Sequence, residues 1–144
     1  MNEVVLLSPD LKTELPLLYA DGGIPAGFPS PAQDYMEGSI DLNKELISHP
    51  EATFYARVAG DSMSPGIANG DILVVDKSLD AFDNCIAVCF LNGEFTVKRL
   101  DLSHRAQGII RLIPDNPKYK PIPVREEEDF IIWGVVCYAI HKTI

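Results

Sequence analysis

Basic residues are scarce in this sequence: 12 Lys and Arg stand against 21 Asp and Glu, and the formal net charge is −9. No basic run occurs anywhere along the chain. Neutralising phosphates takes clustered Lys and Arg, so the shortage argues against direct DNA binding, whether sequence-specific or not. Cysteine is scarce too. Cys85, Cys89 and Cys137 make an odd count without CxxC spacing, which argues against a disulfide framework or a zinc site and suits a reducing compartment. All three lie in apolar stretches (CIAVCF and GVVCYAI), where a free cysteine behaves as a small hydrophobe. Long hydrophobic runs are missing as well. The longest, Phe130 to Ile140, has eleven residues, whereas a membrane-spanning helix needs about twenty. The N-terminus has no positive region and no uninterrupted apolar stretch, so it does not read as a signal peptide. The expectation is a soluble, cytoplasmic protein with no membrane association.

What is present fits one domain: 144 residues, 47% hydrophobic and 23% charged. A chain of this size buries roughly two thirds of its unfolded surface, enough for a core without staples. The N-terminal stretch differs from the rest. Five prolines and a Gly22-Gly23 pair fall between Pro9 and Pro31. Proline fixes φ and removes a donor, so this stretch reads as an extended arm rather than a helix or a central strand. Its apolar residues (Leu17, Leu18, Tyr19, Ile24 and Phe28) predict that the arm docks on something. Ser30-Pro31-Ala32-Gln33 has the residues of a capping box with proline at the first helical position, predicting a short helix to about Glu37. A second helix is expected from Asp41 to about His49, stopped by Pro50.

From Thr53 onward the signals are β. Strands are expected over Thr53–Val58, Ile72–Val75, Ile86–Leu91, Glu94–Leu100, Ile109–Ile113, Ile122–Val124 and Phe130–Ile140. Asn92-Gly93 suits a type I′ hairpin turn between the third and fourth of these. Many short strands divided by Gly, Pro and Asn turns indicate a mainly β protein, a sandwich or partly closed barrel. The acidic run Glu126 to Asp129 reads as a solvated turn. The chain divides into residues 1–50, the arm with its short helices, and residues 51–144, the β-rich domain.

Ser62 lies in Ala59-Gly60-Asp61-Ser62-Met63-Ser64-Pro65-Gly66, between two expected strands. Composition alone makes this a polar turn. A tight turn also suits a nucleophilic serine, because it exposes Oγ and leaves the Ser62 and Met63 N–H groups as candidate oxyanion donors. Serine needs a base. None of His49, His104 and His141 stands in a recognisable triad context. The other candidate is Lys98, in Glu94-Phe95-Thr96-Val97-Lys98-Arg99-Leu100. In a strand, Phe95, Val97 and Arg99 share one face and Thr96, Lys98 and Leu100 the other. Periodicity alone makes Lys98 and Arg99 a solvated pair. A lysine acting as base must instead be neutral, and burial in a low dielectric favours that form.

The segment GDSMSPGIANGDILVVD, followed by NGEFTVKRL, resembles the LexA/UmuD family of Ser-Lys self-cleaving proteins. The upstream stretch GFPSPAQDYMEGSIDLNKELISHPEATFYARVAGDSM is similar to the UmuD-like branch, the accessory subunits of SOS mutagenesis. The likeness covers nearly the whole chain beyond residue 15. It implies a LexA/signal-peptidase-like fold, with Ser62 as nucleophile, Lys98 as general base and Ala26-Gly27 as the self-cleavage bond. It further implies a homodimer, stimulation by RecA filaments on single-stranded DNA, a UmuC-type Y-family polymerase as partner, and no metal or organic cofactor. Small residues flank the bond and prolines keep its segment extended, which suits a peptide lying along a sheet edge. Residues 27 and 62 are 35 apart, and at ~3.3–3.6 Å per extended residue the chain can reach either its own Ser62 or a partner's. The chain departs from the family at Asn84-Cys85, where members usually show Gly-Asp. Two other readings compete: a non-catalytic dimeric module that docks on a polymerase, and a soluble protease of the signal-peptidase type, which shares the Ser-Met-x-Pro and Lys-Arg boxes.

Overall fold

The computed structural model describes residues 4–9, 16–20 and 36–144. Among these the order is β1 (Val4–Leu7), β2 (Pro16–Ala20), β3 (Met36–Asp41), α1 (Leu42–Leu46), β4 (Thr53–Val58), β5 (Ile72–Asp76), β6 (Ile86–Leu91), β7 (Glu94–Asp101), β8 (Ile109–Ile113), β9 (Ile122–Arg125) and β10 (Phe130–Ile140). Two short 3-10 turns, Pro50–Ala52 and Arg105–Gln107, precede β4 and β8. The chain divides into two compact units, Met1–Pro9 with Glu51–Ile144, and Asp10–Pro50.

In the larger unit eight antiparallel strands form one curled sheet in the order β1-β4-β5-β10-β6-β7-β8-β9. The central strand β10 divides its pairing. Phe130 to Val135 pair with β6 and Val135 to Ile140 pair with β5, with register breaks between Ile132 and Gly134 and between Val136 and Tyr138. Bulges bend a strand and increase its twist. One long strand can therefore belong to both halves of a curled sheet.

The strand forecasts from Thr53 onward hold, with β5, β7 and β9 each one residue longer than expected. At the β6–β7 turn, Asn92 has φ 48° and Gly93 φ 90°. Both positive angles are what a type I′ turn requires. The middle strands are covered on both sides. Val88 and Val97 join Ala56, Leu73, Val75 and Met63 in one cluster, while Ala87, Cys89 and Leu100 join Leu112, Val124 and Val135 in the other.

Two helix forecasts need correction. Met36 and Glu37 belong to β3, paired with β2, and not to the end of a helix; the capping residues Ser30 to Gln33 lie outside the described residues. A capping signature is local, and here a pairing across the Asp10–Pro50 unit wins. The second helix starts where expected, with the Asp41 carboxylate accepting from the Asn43 N–H at 3.0 Å. It ends at Leu46, three residues short of His49, with the Ile47 N–H bonded to the Asn43 carbonyl. Its stretch of five residues is too short to be stable without neighbours.

Candidate active site

Ser62 occupies the turn between β4 and β5. The turn is held by its own backbone: Ser64 N–H donates to the Asp61 carbonyl and Ile67 N–H to the Met63 carbonyl, each at 3.1 Å. Gly60 N–H donates to Asn69 Oδ1 at 2.8 Å, and the Ser64-Pro65 peptide is cis. Met63 and Ile67 are pegged into the first apolar cluster. Ser62 itself is only 7% exposed.

Lys98 lies on β7, 3% exposed. Its Nζ donates to Ser62 Oγ at 3.1 Å, to Thr96 Oγ1 at 2.8 Å and to the Val97 carbonyl at 3.1 Å. The sequence pattern alone made Lys98 and Arg99 a solvated pair; the structure separates them. Arg99, on the opposite face, makes a two-pronged ion pair with Asp115, Nε to Oδ1 and Nη2 to Oδ2, both 2.9 Å. That hydrogen bond raises the Arg99 pKa further above its ordinary value. Periodicity could not reveal the burial of Lys98, because residues distant in sequence cover both faces of β7. Ala87 lies directly across from Lys98 and Cys89 across from Thr96. The Cys89 thiol is pushed up to about 12, mainly by burial, with Cys85 adding to the rise and Lys98 opposing it. At neutral pH it is a protonated wall residue, not a rival nucleophile.

The departure at Asn84-Cys85 is accommodated. Asn84 has φ 69°, a left-handed conformation that asparagine tolerates better than most residues other than glycine. Its N–H donates to the Leu100 carbonyl and its carbonyl accepts from Arg99 Nη1, both at 2.8 Å. Two histidines have acidic neighbours elsewhere: His141 Nδ1 lies 2.7 Å from Asp71 Oδ1, and His104 Nδ1 lies 4.0 Å from Asp101 Oδ2. Ala26 and Gly27 lie outside the described residues. Among the described residues no group of three His, Cys, Asp or Glu could hold a metal ion, and no helix is long and apolar enough to cross a membrane.

Sequence reasoning passed over the segment after β8. Asn116 N–H donates to the Ser62 carbonyl and Asn116 Nδ2 to the Asp61 carbonyl, each at 3.0 Å. Tyr119 OH donates to Asp61 Oδ1, and Asp115 N–H meets Met63 Sδ at 3.4 Å. The only sequence signal was Asp-Asn-Pro, which reads as a turn.

A mainly β, curled sheet with a buried serine and lysine in contact is the LexA/S24 β-rich class of fold. The chain belongs to the Peptidase S24-like family, whose model matches residues 17–137 and whose members are self-cleaving serine peptidases. It is 48% identical over 120 residues to protein SamA of Salmonella typhimurium, covering 83% of this chain and 81% of that one. To protein ImpA of Escherichia coli it is 44% identical over 119 residues, 82% of this chain and 79% of that one. LexA repressor 1 of Xanthomonas campestris is 38% identical over 136 residues, 93% of this chain but 64% of the repressor.

Proposed function

We propose that this chain is a UmuD-like autoproteolytic serine endopeptidase that cuts its own Ala26-Gly27 bond, with Ser62 as nucleophile and Lys98 as general base. The observation that carries the reading is the 3.1 Å contact between Lys98 Nζ and Ser62 Oγ with both groups buried. The surroundings of Nζ support it. The Val97 carbonyl can only accept, and Thr96 Oγ1 also accepts from Nζ. A neutral amine that satisfies both with its two N–H bonds directs its lone pair at the Ser62 hydroxyl. Ser62 Oγ then attacks the Ala26 carbonyl carbon while its proton passes to Nζ. The oxyanion forms against the Ser62 and Met63 N–H groups. Collapse breaks the Ala26–Gly27 C–N bond, and the Lys98 ammonium returns its proton to the Gly27 amine. Water, deprotonated by the same amine, releases residues 1–26 from the ester on Ser62.

The SOS setting follows from the family and its UmuD-like members SamA and ImpA. In this reading contact with a RecA filament on single-stranded DNA stimulates the cut. The trimmed homodimer then serves a UmuC-type polymerase in error-prone bypass, within the cytoplasm. Residues 1–50 carry the substrate bond, with β1 a strand of the peptidase sheet, and residues 51–144 form the rest of the peptidase domain. Incubation with RecA, single-stranded DNA and nucleotide should yield residues 1–26 and a fragment of 118 residues by intact mass. Ser62→Ala should melt like the native chain and stay whole. A cut at another bond, or processing by the alanine variant, would overturn the assignment.

A further inference from the structure

Asn116 is a polar residue only 8% exposed. Its hydrogen bonds go to the two carbonyls that flank the Ser62 nitrogen and carbon. The orientation of its side-chain amide is fixed by its own turn, since Lys118 N–H donates to Asn116 Oδ1 at 3.0 Å. With the oxygen so occupied, Nδ2 is the atom that faces the Asp61 carbonyl. The residue before it is anchored by the two-pronged Arg99–Asp115 pair, so the segment is tied to β7, the strand that carries Lys98.

The peptide unit is planar, and in its trans form the N–H points opposite to the C=O. The Asp61 carbonyl shares its plane with the Ser62 N–H, and the Ser62 carbonyl shares its plane with the Met63 N–H. The Asp61 carbonyl accepts from Asn116 Nδ2 as well as from Ser64 N–H, and the Ser62 carbonyl accepts from the Asn116 backbone N–H, so both carbonyls face Asn116 and both N–H groups of these planes point away from it. A rotation of either plane would swing an N–H out of that alignment and a carbonyl into it. We propose that Asn116 is a positioning residue: by holding the Asp61 and Ser62 carbonyls it aims the Ser62 and Met63 N–H groups at the oxyanion. The proposal rests on Ser62 being the nucleophile. It assigns Asn116 to the oxyanion side of the reaction and leaves the nucleophile–base contact to Lys98.

That division supplies the test. Asn116→Ser keeps a hydroxyl that can cap the Lys118 N–H but is too short to hold the Asp61 carbonyl. Its melting temperature should stay close to native. Cleavage without stimulation should be about 10–100-fold slower from about pH 7 to about pH 10, short of the 10²–10³ that deleting an oxyanion donor outright costs. The pH profile should keep its shape, because the base is untouched. In a Ser62→Cys background, iodoacetamide labelling of residue 62, read by peptide mass mapping, should be equally fast with and without Asn116→Ser. Alkylation is displacement at a saturated carbon and develops no oxyanion, so it reports only the thiol and its base. Should the serine variant fail to fold, Asn116→Asp has nearly the same shape and removes the same donor. Native-rate cleavage by a folded variant overturns the proposal. So does labelling that slows in step with cleavage, since that would make Asn116 a support for Ser62 itself. A Ser62→Ala chain that still cuts would instead sink the Ser–Lys reading, and the proposal with it.

Discussion

Replacing Lys98 by arginine keeps one positive charge and removes the ability to act as a base, because a guanidinium in a protein does not give up its proton whereas an amine can. Lys98 is buried, and Arg99 beside it reaches Asp115 and the Asn84 carbonyl on the opposite face. A change of one side chain therefore leaves the Arg99 pair standing. Lys98→Arg is expected to fold and to stay uncut, by mass, in conditions that process the native chain. A Lys98→Arg protein that cleaves at native rate would return Lys98 to a structural role. The proximity of Ser62 and Lys98 was legible only as a pair of motifs. Alternation along Glu94–Asp101 tells which residues share a face, not that both faces are covered. Asn116 was less legible still, since a lone asparagine before a proline looks like any turn.

The strands from Thr53 onward were legible because each is a short run of apolar and β-branched residues bounded by turn residues, and antiparallel neighbours need only short connections. The stretches that escaped were those without such signals. Val4–Leu7 is only four apolar residues with a turn signal, Ser8-Pro9-Asp10, on one side alone, and its partner β4 lies some fifty residues away. Met36–Asp41 is preceded by a helix-start signature and pairs with Pro16–Ala20 instead. The central strand β10 read correctly in extent, but its divided pairing did not show. That division depends on a close approach at Gly134, where a β-carbon would stand 2.7 Å from Val75 Cγ1. Val75 is fully buried and cannot easily yield. Gly134→Ala should destabilise the fold by about 1–3 kcal/mol through overpacking, read as a lower urea midpoint. Gly66→Ala, whose β-carbon meets nothing within 4 Å, is the control and should leave the midpoint nearly unchanged. Equal midpoints for the two variants would mean that β5 and β10 can part at little cost.

Across the whole molecule the acid excess is unevenly divided by the proposed cut. Glu3, Asp10, Glu14 and Asp21 against Lys12 give residues 1–26 a charge of −3, so the trimmed chain keeps −6 of the original −9. The same 26 residues contain β2, paired with β3, and β1, which is not an appendage. It pairs residue for residue with β4, from Val4 opposite Val58 to Leu7 opposite Tyr55, and Val4 is 3% exposed within the core cluster. In the uncut chain β1 is tethered to its own site and is always at the same local concentration, however dilute the protein. Once the chain is severed beyond it, that strand becomes a ligand obeying mass action. Concentrated product should retain the 26-residue peptide on gel filtration and dilute product should lose it, whereas loss independent of dilution would mean that neither β1 on β4 nor β2 on β3 contributes a hold of its own. Its departure lays bare the N–H and C=O groups along one side of β4, and such an edge readily accepts another strand. Cleavage thus makes a permanent part of the sheet into an exchangeable one, and protein concentration then decides how often that edge stands empty.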